Sequence, residues 1–139
     1  MENELFNLRT SQPRLFFILI LLIMTFSMPG EAFAQDKNSM VRLAKLTIDS
    51  MQLEAYRAML KEEIETSVRV EPGVISLQAV YERNNPTHVT ILEIYADVNA
   101  YKKHIETTHF KKYKTGTKDM VKSLELIETV PIALESKKN

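Results

Sequence analysis

Two kinds of hydrophobic pattern run along the chain. Residues 15–28 are a nearly unbroken apolar run of 14, closed by Pro29, Gly30 and Glu31. From Met40 the pattern becomes periodic. Val41 and Leu43 alternate with Ala44, Leu46 and Ile48 across the two faces of a strand, and both faces are apolar enough to be covered. Asp49 and Ser50 are helix-capping residues, and Leu53, Tyr56, Leu60 and Ile64 follow at spacings of 3, 4 and 4, a single helical stripe with Lys61, Glu62 and Glu65 off it. Pro72-Gly73 ends this unit. Residues 74–81 read as a second strand, 84–87 as a loop rich in turn residues, and 88–95 as a third strand, so the two strands form a hairpin. Asp97 caps a helix with Val98, Tyr101 and Ile105 on its buried side. Thr107 and Thr108 interrupt that helix, and a second piece begins near His109 with Phe110 and Tyr113 as its apolar positions. Gly116 loosens the chain, residues 123–132 with Pro131 near their end read as a fourth strand, and a polar tail covers 133–139.

The order β-α-β-β-α-β predicts an α+β fold of ferredoxin-like type: an antiparallel sheet with two helices on one face. The other face should then meet water, yet Val41, Leu43 and their neighbours are too apolar for that. A second copy covering it is the simplest solution, which predicts a homodimer whose sheets pack face to face as a dimeric α+β barrel.

The first apolar run changes the picture of where this domain works. Arg9 and Arg14 precede it, and Ala32-Phe33-Ala34 follows its Pro-Gly break. Basic start, apolar core and small-x-small ending describe a secretory signal, cleaved after Ala34, with residues 35–39 a leader to the domain at 40–132. A membrane span needs roughly 20 apolar residues, so a stable anchor is not expected; the expected location is periplasmic or secreted. The chain has 18 basic and 18 acidic side chains. That balance offers no footprint for nucleic acid. The absence of cysteine excludes disulfides and thiolate metal sites.

Residues 93–113 carry a further signal: Glu93 and Tyr95 at a strand end, then Ala100, His104, His109 and Phe110 on the helical segment, with Glu71-Pro72-Gly73 ahead of the second strand. This run resembles the antibiotic biosynthesis monooxygenase (ABM) family, and the resemblance extends over roughly residues 40–132. It implies the fold predicted above. Members include cofactor-independent oxygenases of aromatic or quinol substrates, haem-degrading proteins and isomerases of small phosphorylated sugars. The haem-degrading branch typically carries a tryptophan, and this chain has none.

An oxygenase without a cofactor needs a base to deprotonate a phenol, so that the substrate itself reduces dioxygen. His109 and His104 are the candidates, since imidazole exchanges protons near neutral pH. His109 stands near a helix start, where the helix dipole favours the neutral ring. Glu93, an acid on an apolar strand face, needs a partner: an arginine or lysine, a histidine it orients, or a substrate hydroxyl. Tyr56, Tyr95, Tyr101, Phe110 and Tyr113 are candidate binding residues for a planar ring. His88 reads as a hairpin residue. No metal constellation is expected, because His104 and His109 are five apart across a helix break. No cofactor is expected either. The resulting expectation is a cofactor-independent monooxygenase of small aromatic or quinol compounds. The alternatives are a non-catalytic dimeric ligand-binding module, or an isomerase of a small carbonyl compound in which Lys45 or Arg42 binds an anion.

Overall fold

The computed structural model describes residues 38–137. The expected signal at 1–34 and most of the leader at 35–39 therefore lie outside the described residues. The elements are β1 (Met40–Ile48), a 3-10 turn (Ser50–Gln52), α1 (Leu53–Val70), β2 (Val74–Glu82), β3 (Asn85–Tyr95), α2 (Val98–His104), α3 (Thr108–Gly116) and β4 (Val121–Thr129). The strands form one antiparallel sheet in the order β2-β3-β1-β4. This is the expected ferredoxin-like arrangement, with its second helix in two pieces. Among the described residues, no helix is long and apolar enough to cross a membrane.

Local chemistry accounts for the boundaries. The Asp49 carboxylate accepts from the Met51 N–H, opening the turn into α1. Asp97 accepts from the Ala100 N–H and Thr107 from the Phe110 N–H, so each short helix has its own side-chain cap. Ala44, Leu46 and Ile48 of β1 and Val89 and Ile91 of β3 meet Tyr56, Leu60 and Tyr113 from the helices in one core cluster.

Three expectations are corrected. Residues 85–87, read as loop, belong to β3, and only Arg83 and Asn84 form the turn. Pro86 is tolerated because the β1–β3 ladder ends at Thr47 opposite His88, so its missing N–H interrupts no bond to β1. Val98 is exposed rather than part of a buried stripe. β4 runs from Val121 to Thr129, two residues earlier at its start and three at its end than read from the sequence.

Strand register aligns one row of side chains on the helix-facing side. Glu128 of β4, Arg42 of β1, Glu93 of β3 and Leu77 of β2 are successive partners across the sheet. The opposite face holds Val41, Leu43, Leu92, Ile94 and Ile127. Val41 and Ile94 are buried and the other three half-buried.

The Glu71-Pro72-Gly73 stretch has a packing reason. A Cβ on Gly73 would stand 2.5 Å from the Cβ of Ala100. The missing side chain lets α2 close onto the start of β2, which brings the end of α2 toward Glu71. Gly73→Ala is expected to destabilise the fold by about 1–3 kcal/mol through overpacking. Urea denaturation measures it, and adding Ala100→Gly should recover part of the loss.

Candidate active site

On α1 the buried residues are Tyr56, Leu60, Glu63 and Ser67, spaced 4, 3 and 4. The inward face of this helix thus turns polar in its second half. Glu71, the residue after the helix, lies one turn beyond Ser67, and its N–H bonds the Ser67 carbonyl. His104 ends α2, and His109 sits in the first turn of α3. The break between these helices folds the two histidines back toward α1.

The result is a chain of side-chain contacts. Ser67 Oγ donates to Glu63 Oε1 at 2.7 Å. His104 Nε2 lies 3.6 Å from the same Glu63 oxygen. His104 Nδ1 is 2.9 Å from Glu71 Oε1, and His109 Nε2 is 2.6 Å from that same atom. His104 is 3 % exposed and Glu63 5 %.

Charge follows from these contacts. Burial works against ionisation of Glu71, but the bonds from His104 and His109 outweigh it and hold its carboxyl below the usual range. Glu63 is pushed up by burial, only partly countered by Ser67 and His104. An ionised carboxylate only accepts, so each histidine presents an N–H to Glu71. When His104 is neutral, its Nε2 is then the nitrogen with the free lone pair.

His104 and Glu63 also line a cavity of about 360 Å³ between helices and sheet. At one end it meets Arg42, Glu93, Tyr95 and Tyr101; at the other, Leu46, Leu60 and Leu124. Leu124 and Leu126 of β4 line it yet remain exposed, so it opens along β4. The His104 ring contacts Phe110 edge-on at a centroid distance of 4.8 Å, and Tyr95 at 5.4 Å.

Of the residues singled out in the sequence, His104, Glu93, Tyr95, Tyr101, Phe110 and Tyr113 line this cavity. His109 does not; it borders a small depression with Met59 and Lys112 that shares Glu63 and Tyr113 with the cavity wall, and it is bonded to Glu71, the partner of His104. Tyr56 is fully buried behind the wall, with its hydroxyl 2.9 Å from that of Tyr113. Tyr113→Phe would leave the Tyr56 hydroxyl without that partner, and a loss of about 1–3 kcal/mol is expected in thermal or urea unfolding. Glu93 accepts from the Tyr95 hydroxyl at 3.1 Å, and burial raises its pKa. His88 pairs with Glu82 at the hairpin, remote from the cavity, and Lys45 is exposed. Glu63, Ser67 and Glu71 were not read as site residues. Their signal was present: they continue the inward face of α1 as 56, 60, 63, 67 and 71.

Against the expectation of no metal constellation, Glu71, His104 and His109 do converge, with one ligand-type atom of each within 4.8 Å of the others. Two imidazoles and a carboxylate are a chemically competent metal set. Here they are bonded to one another, both histidines on a single Glu71 oxygen.

A family model described as antibiotic biosynthesis monooxygenase matches residues 39–116. The chain belongs to this family. Among solved structures, an antibiotic biosynthesis monooxygenase by name from Bacteriodes thetaiotaomicron VPI-5482 is 60% identical, with a TM-score of 0.70; the match covers 73% of this chain and 97% of that one. A monooxygenase by name from Lactobacillus acidophilus NCFM is 32% identical with a TM-score of 0.66, over 67% of this chain and 44% of that one. A further one from Nitrosomonas europaea, at 19% identity and TM-score 0.64 over 68% and 91%, shares the fold. No protein with a curated description matches. The part of the ABM-family chain matched by the model runs from β1 through α3 and so holds Glu63, Glu71, Glu93, His104 and His109.

Proposed function

We propose that this ABM-family protein is a cofactor-independent monooxygenase of small aromatic or quinol compounds, with His104 as proton acceptor. The observation that carries the reading is a buried imidazole beside an aromatic-lined cavity, with Nδ1 engaged by an ionised carboxylate and Nε2 left basic. Glu71 fixes the ring and stabilises the imidazolium that forms, as the carboxylate does in a hydrolase triad. A quinol bound in the cavity gives its hydroxyl proton to His104 Nε2. The quinolate then transfers one electron to dioxygen, and the two radicals combine as a ring hydroperoxide. Loss of water leaves a hydroxyquinone, so one quinol and one dioxygen give one hydroxyquinone and one water. Through Glu71, His104 communicates with half-exposed His109, which offers the proton a way out. Tyr95 is held protonated by burial and serves as a hydrogen-bond donor.

The reading extends to location and assembly. Residues 1–34 act as a cleaved export signal, so the protein works in the periplasm or outside the cell; N-terminal sequencing of the exported protein should begin at Gln35. The helix-free face is covered by a second copy, which native mass spectrometry tests as a dimer mass. The enzymatic claim is tested by oxygen uptake with a panel of hydroquinones and polyphenols, without added flavin or metal. Uptake proportional to enzyme supports it, and no turnover on any member of the panel overturns it.

A further inference from the structure

The polar end of the cavity contains a buried guanidinium with a donor unpartnered among the described residues. Arg42 is 7 % exposed; its guanidinium reaches the exposed Glu128 side chain at 3.4 Å, and Tyr101 and Glu93 also favour its charge. The Arg42 Nε is buried and has no hydrogen-bond partner among those residues. A guanidinium carries five donors, and burying one of them without an acceptor is costly. The ring of Tyr101 lies 4.3 Å from the guanidinium carbon. That contact covers the face of the group and leaves its in-plane edge, the edge that matches a carboxylate in a two-point bond.

Glu93 is opposite Arg42 in the sheet, but it accepts its hydrogen bond from the Tyr95 hydroxyl, and burial favours its neutral form more than Tyr95 and Arg42 favour the ionised one. Strand register then orders the cavity along its length. Arg42 and Glu93 form one row, Ala44 and Ile91 the next, and Leu46 and Leu124 the third. A ligand suited to it has an apolar body and one anionic end.

We infer that Arg42 is a substrate-binding residue and that the cavity selects aromatic acids, namely phenols or hydroquinones whose ring carries a carboxylate. The carboxylate meets the guanidinium edge, the ring lies toward Phe110 and Ile91, and a ring hydroxyl comes within reach of His104. This rests on the cavity being the substrate site of the monooxygenase reading, but it concerns binding and needs no turnover.

The test is calorimetric titration in deoxygenated buffer with 2,5-dihydroxybenzoate and its methyl ester, which differ in the charge at one end. The wild-type protein is expected to bind the acid at least about tenfold more tightly, the scale of one charge-assisted pair. Arg42→Gln should bring the two affinities together. In the wild type, the Arg42 Nε–H resonance should shift with the acid and not with the ester, a readout that stands even if the variant folds poorly. Equal affinities, no binding of either compound, or a preference for the acid that survives in Arg42→Gln would overturn the inference. Acid-selective binding without oxygen uptake would sink the monooxygenase reading and leave this one standing; uptake of neutral quinols with no acid preference would do the reverse.

Discussion

His104→Gln should reduce quinol-dependent oxygen uptake by about 10²- to 10⁴-fold, the usual contribution of a positioned general base. Glutamine retains a donor for Glu71 and much of the side-chain volume, but its amide has no basic nitrogen. His109→Gln provides the comparison. Because His109 does not line the cavity and is bonded to Glu71, its loss should be smaller. Steady-state oxygen uptake, on proteins whose folding is checked by circular dichroism, measures both. Equal losses for the two variants would show that the cavity histidine has no special part.

Glu71→Gln should have the second large effect, on rate and on stability together. An amide accepts through its oxygen but donates through its nitrogen. If that nitrogen faces His104, Nδ1 must accept, the proton moves to Nε2, and the base is lost; a comparable carboxylate-to-amide change in a catalytic triad costs about 10⁴-fold. Two charge-assisted bonds also become neutral, at about 1.5–3 kcal/mol each before relaxation. The sign of the pH dependence follows from the shifts. The Glu71 pKa is depressed from its ordinary 4.5, so its stabilisation is present above that value and is lost as pH falls through the folded-state value. Glu63 and Glu93 are raised, so their contribution is present below 4.5 and fades as pH rises through their folded-state values. Melting temperature should therefore fall less on acidification in Glu71→Gln than in the wild type. An unchanged acid limb would show that Glu71 is not the depressed group.

The order of elements was legible because each had its own local signal: alternation in β1, the stripe of α1, the caps Asp49 and Asp97, and the break at Thr107. Asn85-Pro86-Thr87 misled because turn-forming residues here sit in a strand extension beyond the reach of β1. The candidate site was half legible. His104, Glu93 and the aromatic residues stood out by type. The role of Glu71 did not, because it depends on contacts across 33 and 38 residues that no local spacing encodes. The same convergence explains why two histidines five apart, unsuited to a common site on one continuous helix, meet at one carboxylate oxygen. Separating the cavity histidine from the outer one required the tertiary fold, because only His104 lines the cavity while His109 borders the neighbouring depression.

Labelled dioxygen tests the central claim most directly. The wild-type protein, incubated with a quinol under ¹⁸O₂ and no added flavin or metal, should yield a product carrying one ¹⁸O atom and water carrying the other. A product with no label, with both labelled atoms, or formed at the same rate by His104→Gln would contradict the account.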